Sequence, residues 1–159
     1  MLPETQLPSD VFYLEPGRLL VSTEPCTLRT ILGSCVSVCL YDPELRMGGM
    51  NHFMLPRAPS SNETSFRYGD RALAGLVERL LRLGSEPGRL CASVFGGANV
   101  LSNMSEMTHL GHGNAEYALD WLADAGIWVV TSDLLGSVGR RLDFHIGNGK
   151  TSVRLLGAQ

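Results

Sequence analysis

Two side chains in this sequence have the types and spacing for covalent chemistry. Cys35 ends the run Leu32-Gly33-Ser34-Cys35, and His52 follows seventeen positions later behind Gly48-Gly49-Met50-Asn51. A thiol needs a base or a cation to act as a nucleophile, because at a pKa near 8.5 it is only about 3% ionised at pH 7. The small Gly33-Ser34 step leaves backbone N–H groups accessible beside the sulfur, as an oxyanion site requires. Asn51 and the Gly48-Gly49 pair bring a polar neighbour and close backbone approach to His52, which suits a pocket wall. Each residue also has a plainer reading: a core thiol at a strand start, and a hydrogen-bonded core histidine. The chemistry exists only if the fold unites them.

Other candidates are weaker. Cys39 shares a strand face with Cys35, so with His52 a three-ligand zinc site is conceivable. However, four residues of strand separate the sulfurs by about 13 Å, whereas zinc holds ligating sulfurs less than about 5 Å apart. No metal or cofactor is expected. Cys26 and Cys91 read as small hydrophobes of a reducing compartment. Gly96-Gly97 lacks the further glycine of a dinucleotide loop and the Lys-Ser/Thr of a P-loop, and reads as a tight turn where backbone approaches something closely. His109 and His112 read as solvated loop residues, and His145 as a surface strand residue.

The elements that must position Cys35 and His52 follow from periodicity. Short strands are expected at Val11–Leu14, Arg18–Ser22 and Val36–Tyr41. In the last of these, 36, 38 and 40 face one way and Cys35, Ser37, Cys39 and Tyr41 the other. Asp42-Pro43-Glu44 is a turn, Met50–Leu55 a further strand, and Arg57–Ser65 a surface loop. Apolar spacing predicts a helix over 71–83, N-capped by Asp70 and ended by Gly84, and a second over 115–125, N-capped by Asn114 and ended by Gly126. Strands follow each helix, at Leu90–Phe95 and Ile127–Thr131. Leu142–Ile146 and Thr151–Leu155 form a closing hairpin through Gly147-Asn148-Gly149. The expected fold is an α/β (α+β) sandwich, a mixed sheet covered by two main helices with a C-terminal hairpin. Residues 1–159 are expected to form one domain, with 1–16 an irregular arm.

Composition bounds the partners. The chain has 159 residues, a formal charge of −3 and a single lysine, Lys150, with arginine supplying the remaining positive charge. That charge gives no electrostatic reason to expect nucleic acid or an anionic membrane. No apolar run is long enough to span a bilayer and the N-terminus is unlike a signal peptide, so the cytoplasm is the expected location.

The segments Thr30–Asp42 and Gly48–Pro56 together resemble the signature of CheD, a family of bacterial chemoreceptor glutamine deamidases. The likeness continues through Arg67-Tyr68-Gly69-Asp70, Phe95-Gly96-Gly97-Ala98 and Gly111–Asn114 to the closing hairpin, covering roughly Arg18 to Leu155. The resemblance implies a Cys nucleophile, a His base and an upstream threonine: Cys35, His52 and Thr30, with Thr30 preferred over Thr27. It implies release of ammonia from receptor glutamines through a Cys thioester, with Gly33 and Ser34 beside the oxyanion. It also implies chemoreceptor cytoplasmic helices as protein substrate and the CheC phosphatase as a partner of some members. A monomer is the default. By the same resemblance, Gly113 and Val138 stand where many relatives have arginine, and Leu135 where they often have glycine. Two other classes fit the same residues: another thiol hydrolase, such as a receptor methylesterase or small-molecule amidase, and a non-catalytic module binding receptors or CheC. An activated Cys35 is expected to alkylate faster than the other three cysteines, with a pKa below the free value.

Overall fold

The computed structural model of the protein describes residues 10–100 and 105–157. Its elements are β1 (Val11–Tyr13), β2 (Leu19–Ser22), β3 (Cys26–Leu32), β4 (Val36–Asp42), β5 (Met47–Asn51), α1 (Gly69–Arg82), β6 (Cys91–Gly96), α2 (Ser105–Asp124), β7 (Trp128–Leu134), β8 (Arg140–Ile146) and β9 (Lys150–Leu155), with a 3₁₀ turn at Pro87–Arg89. The α+β class and the closing hairpin are as expected. The strands divide into two sheets, ordered β2-β5-β4-β6-β7 and β1-β3-β8-β9. Each is mixed: β6–β7 and β1–β3 are parallel, and the remaining pairs antiparallel.

Three layers result. Both helices pack on the five-stranded sheet, and the four-stranded sheet covers its opposite face. The alternation in β4 sorts its side chains between two cores. Val36, Val38 and Leu40 join Leu73, Leu76 and Leu122 beneath the helices. Cys35, Cys39 and Tyr41 join Leu28, Leu142 and Phe144 between the sheets. Every residue of β4 is buried, because this central strand has a layer on each side. Each fully buried aliphatic side chain contributes about 1.5–3 kcal/mol of transfer free energy.

The Gly48-Gly49 pair proves to be a packing device rather than a pocket wall. A Cβ at Gly48 would lie 2.5 Å from the Leu40 carbonyl and 3.2 Å from the Phe144 ring, and one at Gly49 would lie 2.6 Å from the Leu20 carbonyl and 2.8 Å from Leu76. Bare backbone lets the sheet partner and α1 close on β5 from opposite sides.

Three expectations change. β3 escapes periodicity because polar Thr27, Arg29 and Thr30 interrupt it, although Leu28, Thr30 and Leu32 all face inward. α2 begins ten residues earlier than expected, so Asn114 lies inside it and is no N-cap. Asp70 does not cap α1 through its side chain; that cap position is Tyr68, and the Asp70 carboxylate accepts from Ala58 N–H at 3.1 Å and Arg71 N–H at 2.9 Å. Residues 1–9 of the expected arm lie outside the described residues, while Val11–Tyr13 pairs in parallel with β3.

Leu135 occupies the left-handed region, with φ of 72°, and is 39% exposed. Its N–H donates to the Gly96 carbonyl at 2.8 Å, and buried Arg140 grips its carbonyl. That conformation costs a non-glycine residue roughly 1–2 kcal/mol, while glycine's extra chain entropy costs about 0.5–1 kcal/mol. Leu135→Gly therefore raises stability by roughly 0.5–1 kcal/mol in urea unfolding; a loss of stability contradicts the strain argument.

Candidate active site

Cys35 and His52 come from adjacent antiparallel segments joined by a backbone pair at Val36 and Phe53, with N–H···O distances of 3.1 and 2.9 Å. In that register Cys35 lies opposite Met54, and Ser37 opposite His52. Cys35, Ser37, His52 and Met54 therefore share the face that looks into the space between the sheets. The Cys35–His52 relation is the diagonal one, with Cα atoms about 7–8 Å apart and within reach of a long side chain. The strands are held differently one step further on. There Val38 N–H donates to the Asn51 side-chain oxygen at 2.9 Å.

His52 is 1% exposed and Thr30 0%. Thr30 projects from β3 across the gap, and its Oγ1 lies 2.7 Å from His52 Nδ1 and 2.7 Å from the Leu14 carbonyl. A hydroxyl has one proton to donate, and a carbonyl can only accept. The Thr30 proton thus goes to Leu14, and the hydroxyl oxygen accepts from Nδ1–H. That arrangement leaves Nε2 as the unprotonated nitrogen. The ring's backbone is fixed as well: His52 N–H donates to the Arg18 carbonyl at 3.2 Å, and the His52 carbonyl accepts from Gly17 at 2.8 Å. Residues 14–18, of which 14–16 fall in the expected irregular arm, hold His52 through its backbone and through Thr30. Backbone groups do this, so side-chain patterns carry no sign of it.

Burial dominates the ionisation of both groups. Desolvation lowers the His52 pKa to about 4 and raises the Cys35 thiol above its ordinary value. No charged group offsets either shift, so the resting pair is thiol and neutral imidazole. The expected depression of the Cys35 pKa is not met: burial pushes the thiol up and keeps it protonated at neutral pH. A nucleophilic role for this sulfur would need its proton to pass to a base such as Nε2 during attack.

The loop Gly33–Cys35 is held by its carbonyls. Gly33 O accepts from Ala98 N–H at 2.9 Å, Cys35 O from Gly97 N–H at 2.9 Å, and Ser34 O from Asn114 Nδ2 at 3.0 Å. Among the described residues, nothing accepts from the N–H groups of Ser34 and Cys35. The Gly96-Gly97 turn is the close approach expected of it. A Cβ at Gly96, where φ is 111°, would stand 2.2 Å from the Cys35 carbonyl.

Asn114 was missed as a site residue. It is wholly buried, and its Nδ2 also donates to the Met54 carbonyl at 3.0 Å. Extending the helical stripe back from Ala118 and Ala115 to Asn114 and Gly111 would have placed it on the buried face. Gly111 permits that packing, since a Cβ there would lie 2.6 Å from the carbonyls of Gly97 and Ala98.

The remaining candidates fall elsewhere. Thr27 faces outward and lies 2.9 Å from His145 Nδ1, so it is absent from the His52 environment. Cys39 is buried between the sheets, with its pKa pushed well up by desolvation. His109 and His112 are exposed on α2 rather than in a loop. Among the described residues no cluster of three potential metal ligands occurs, and no helix is long and apolar enough to cross a membrane.

Comparison with known proteins gives a consistent family. The family described as "CheD chemotactic sensory transduction" matches residues 54–155. A protein of Anaeromyxobacter dehalogenans named "Probable chemoreceptor glutamine deamidase CheD 1" is 44% identical over 91% of this chain and 84% of its own. One of Trichlorobacter lovleyi, named "Probable chemoreceptor glutamine deamidase CheD", is 44% identical over 92% and 89%. A third, from Shewanella oneidensis, is 43% identical over 89% and 70%.

The depressed His52 pKa ties stability to pH. The unfolded chain protonates this ring near pH 6.5 and the folded one only near 4, so the unfolded state binds the extra proton between those values. Stability is full above pH 6.5 and declines by about 3 kcal/mol as pH falls towards 4. Urea titrations from pH 7 to 4 should show that slope in the parent and lose this share of it in His52→Gln. Equal slopes would contradict the burial of a neutral ring.

Proposed function

The chain belongs to the CheD family, and on that premise we propose that it is a chemoreceptor glutamine deamidase with Cys35 as nucleophile, His52 as base and Thr30 as the orienting third member. The observation that carries the reading is the Leu14–Thr30–His52 chain of hydrogen bonds. It supports an Nε2 lone pair on the same face as the Cys35 sulfur.

The steps follow from the groups present. The sulfur attacks the side-chain carboxamide carbon of a receptor glutamine as its proton passes to His52 Nε2. The carbonyl oxygen becomes an oxyanion beside the N–H groups of Ser34 and Cys35, with Gly33 leaving the approach open. His52 returns the proton to the departing nitrogen, and ammonia leaves a Cys35 thioester. Water, giving a proton to His52 Nε2, attacks the thioester carbon. The thiolate departs and recovers that proton, and the new carboxyl group loses its own proton to solvent, leaving glutamate.

A neutral pair suits this cycle. Protonation of His52 during attack creates an imidazolium beside Thr30, whose oxygen still accepts from Nδ1–H. The threonine orients the ring without carrying charge, unlike the carboxylate of a Ser-His-Asp triad. Each turnover places a carboxylate on a receptor helix, where like charges at i,i+4 repel by a few tenths of a kcal/mol. A receptor balanced between two states responds to such small terms. We place this activity in the cytoplasm, on receptor cytoplasmic helices, with no cofactor; CheC is a candidate partner.

Mass spectrometry of receptor cytoplasmic fragments, with ammonia measured in parallel, tests the assignment. Cys35→Ala should abolish conversion of glutamine to glutamate, and His52→Gln should lower kcat by about 10²–10⁴-fold. Retention of full activity by a folded Cys35→Ala variant refutes the mechanism, and release of methanol rather than ammonia would indicate a methylesterase. The base works only when neutral. The acid limb of kcat/KM should therefore fall near pH 4, following the His52 pKa of about 4, instead of near 6.5.

A further inference from the structure

Asn114 reaches the nucleophile loop from the middle of α2. Its Nδ2 donates to two carbonyls, Ser34 O and Met54 O, each at 3.0 Å. Those neighbours fix the amide's orientation, since a flip would set Oδ1 against two acceptors and satisfy none of them. Ser34 precedes the sulfur, and Met54 lies two residues beyond His52. One side chain therefore pins both segments beside the Val36–Phe53 pair.

The direction of the pin matters. A trans peptide points its C=O and N–H to opposite sides. With the Ser34 carbonyl drawn to α2, the Cys35 N–H is turned away from α2, towards the side where the Cys35 side chain joins the core between the sheets. The neighbouring peptide is held in the same sense by Ala98 N–H on Gly33 O, but through backbone alone. Asn114 is thus the one side chain, among the described residues, that sets the aim of an amide next to the sulfur.

We infer that Asn114 is a positioning residue of the reaction: it orients the Ser34–Cys35 peptide so that the Cys35 N–H meets the oxyanion formed when the thiol adds to a carbonyl. This rests on Cys35 being the nucleophile proposed above, and it extends that reading to a residue that touches neither substrate nor base. A purely structural link between α2 and the loop would affect every reaction of the sulfur alike. A positioning role affects only those that pass through an oxyanion.

Two reagents separate the roles at the same atom. p-Nitrophenyl acetate acylates Cys35 through a tetrahedral oxyanion: an S–C bond forms, the ester C–O bond breaks, p-nitrophenolate leaves, and the thiol proton passes through His52 to solvent. Iodoacetamide alkylates the sulfur by displacing iodide, with no oxyanion. In Asn114→Ala the acylation rate of Cys35, read by mass spectrometry of the folded protein, should fall roughly 10–100-fold, less than loss of a whole donor. Alkylation should stay within about threefold of the parent. Asn114→Ser, whose hydroxyl can serve one carbonyl, should fall between the two and covers the case of an Ala variant that does not fold. In receptor deamidation the loss should appear in kcat, with KM little changed. Equal falls in acylation and alkylation, or no fall in either, overturn the inference. A parent that acylates Asn114-dependently at Cys35 yet leaves receptor glutamines unchanged would dismiss the deamidase and keep the positioning role.

Discussion

A single buried hydrogen bond joins the two halves of this molecule's chemistry. Thr30 belongs to the four-stranded sheet and His52 lies just past the end of β5, an interior strand of the five-stranded one, and their side chains meet across the gap at 2.7 Å. The bond has a direction because the Leu14 carbonyl takes the hydroxyl proton. Leaving such groups unpaired in a dry interior costs about 1–3 kcal/mol each. Keeping them paired therefore favours the arrangement that also leaves His52 Nε2 without a proton. In the proposed reaction the same bond stabilises the fold and orients the base.

The layers around that bond show how close approach replaces side-chain contact near the sulfur. The Gly96-Gly97 turn lies against the Cys35 carbonyl, Gly111 lets α2 lie against that turn, and Asn114 descends between them. Three loop carbonyls are consumed by these neighbours. Anchoring the acceptors holds the adjacent donors in place without any residue touching them. Ser37, opposite His52 in the register, keeps a buried hydroxyl with no partner, and we have no physical account of it.

Much of this was legible in the sequence, and what was not has identifiable causes. The β4 face assignments follow from strict alternation, and the Asn-Gly turn marks the final hairpin, so both were readable. β3 was hidden by a buried polar contact: Thr30 faces the core where periodicity expects an aliphatic residue, and its hydroxyl pairs with His52 Nδ1 and the Leu14 carbonyl. Asn114 was hidden similarly, as a polar residue on an otherwise small and apolar helical stripe between glycines that suggest a loop. Cys35 and His52 stand out by residue type, whereas burial could not be read at that level and the expected lowered thiol pKa is not met. A lowered thiol pKa needs a nearby cation or helix N-terminus, and the fold supplies burial instead. Backbone acceptors such as Leu14 O lie beyond any reading of side chains. Leu135 is the reverse case, since its left-handed φ is one that glycine adopts freely, while nothing in the structure explains why leucine stands here.

The protonation state of one ring decides the account. Nitrogen NMR of His52 in the folded protein, followed from pH 7 down to the limit of stability, reads the tautomer and the titration together. The account predicts a proton on Nδ1, a bare Nε2, and a neutral ring until the pH approaches about 4. A proton on Nε2 at neutral pH would contradict it, for that nitrogen could not then take a proton from Cys35, and titration near 6.5 would contradict the burial that holds the ring neutral.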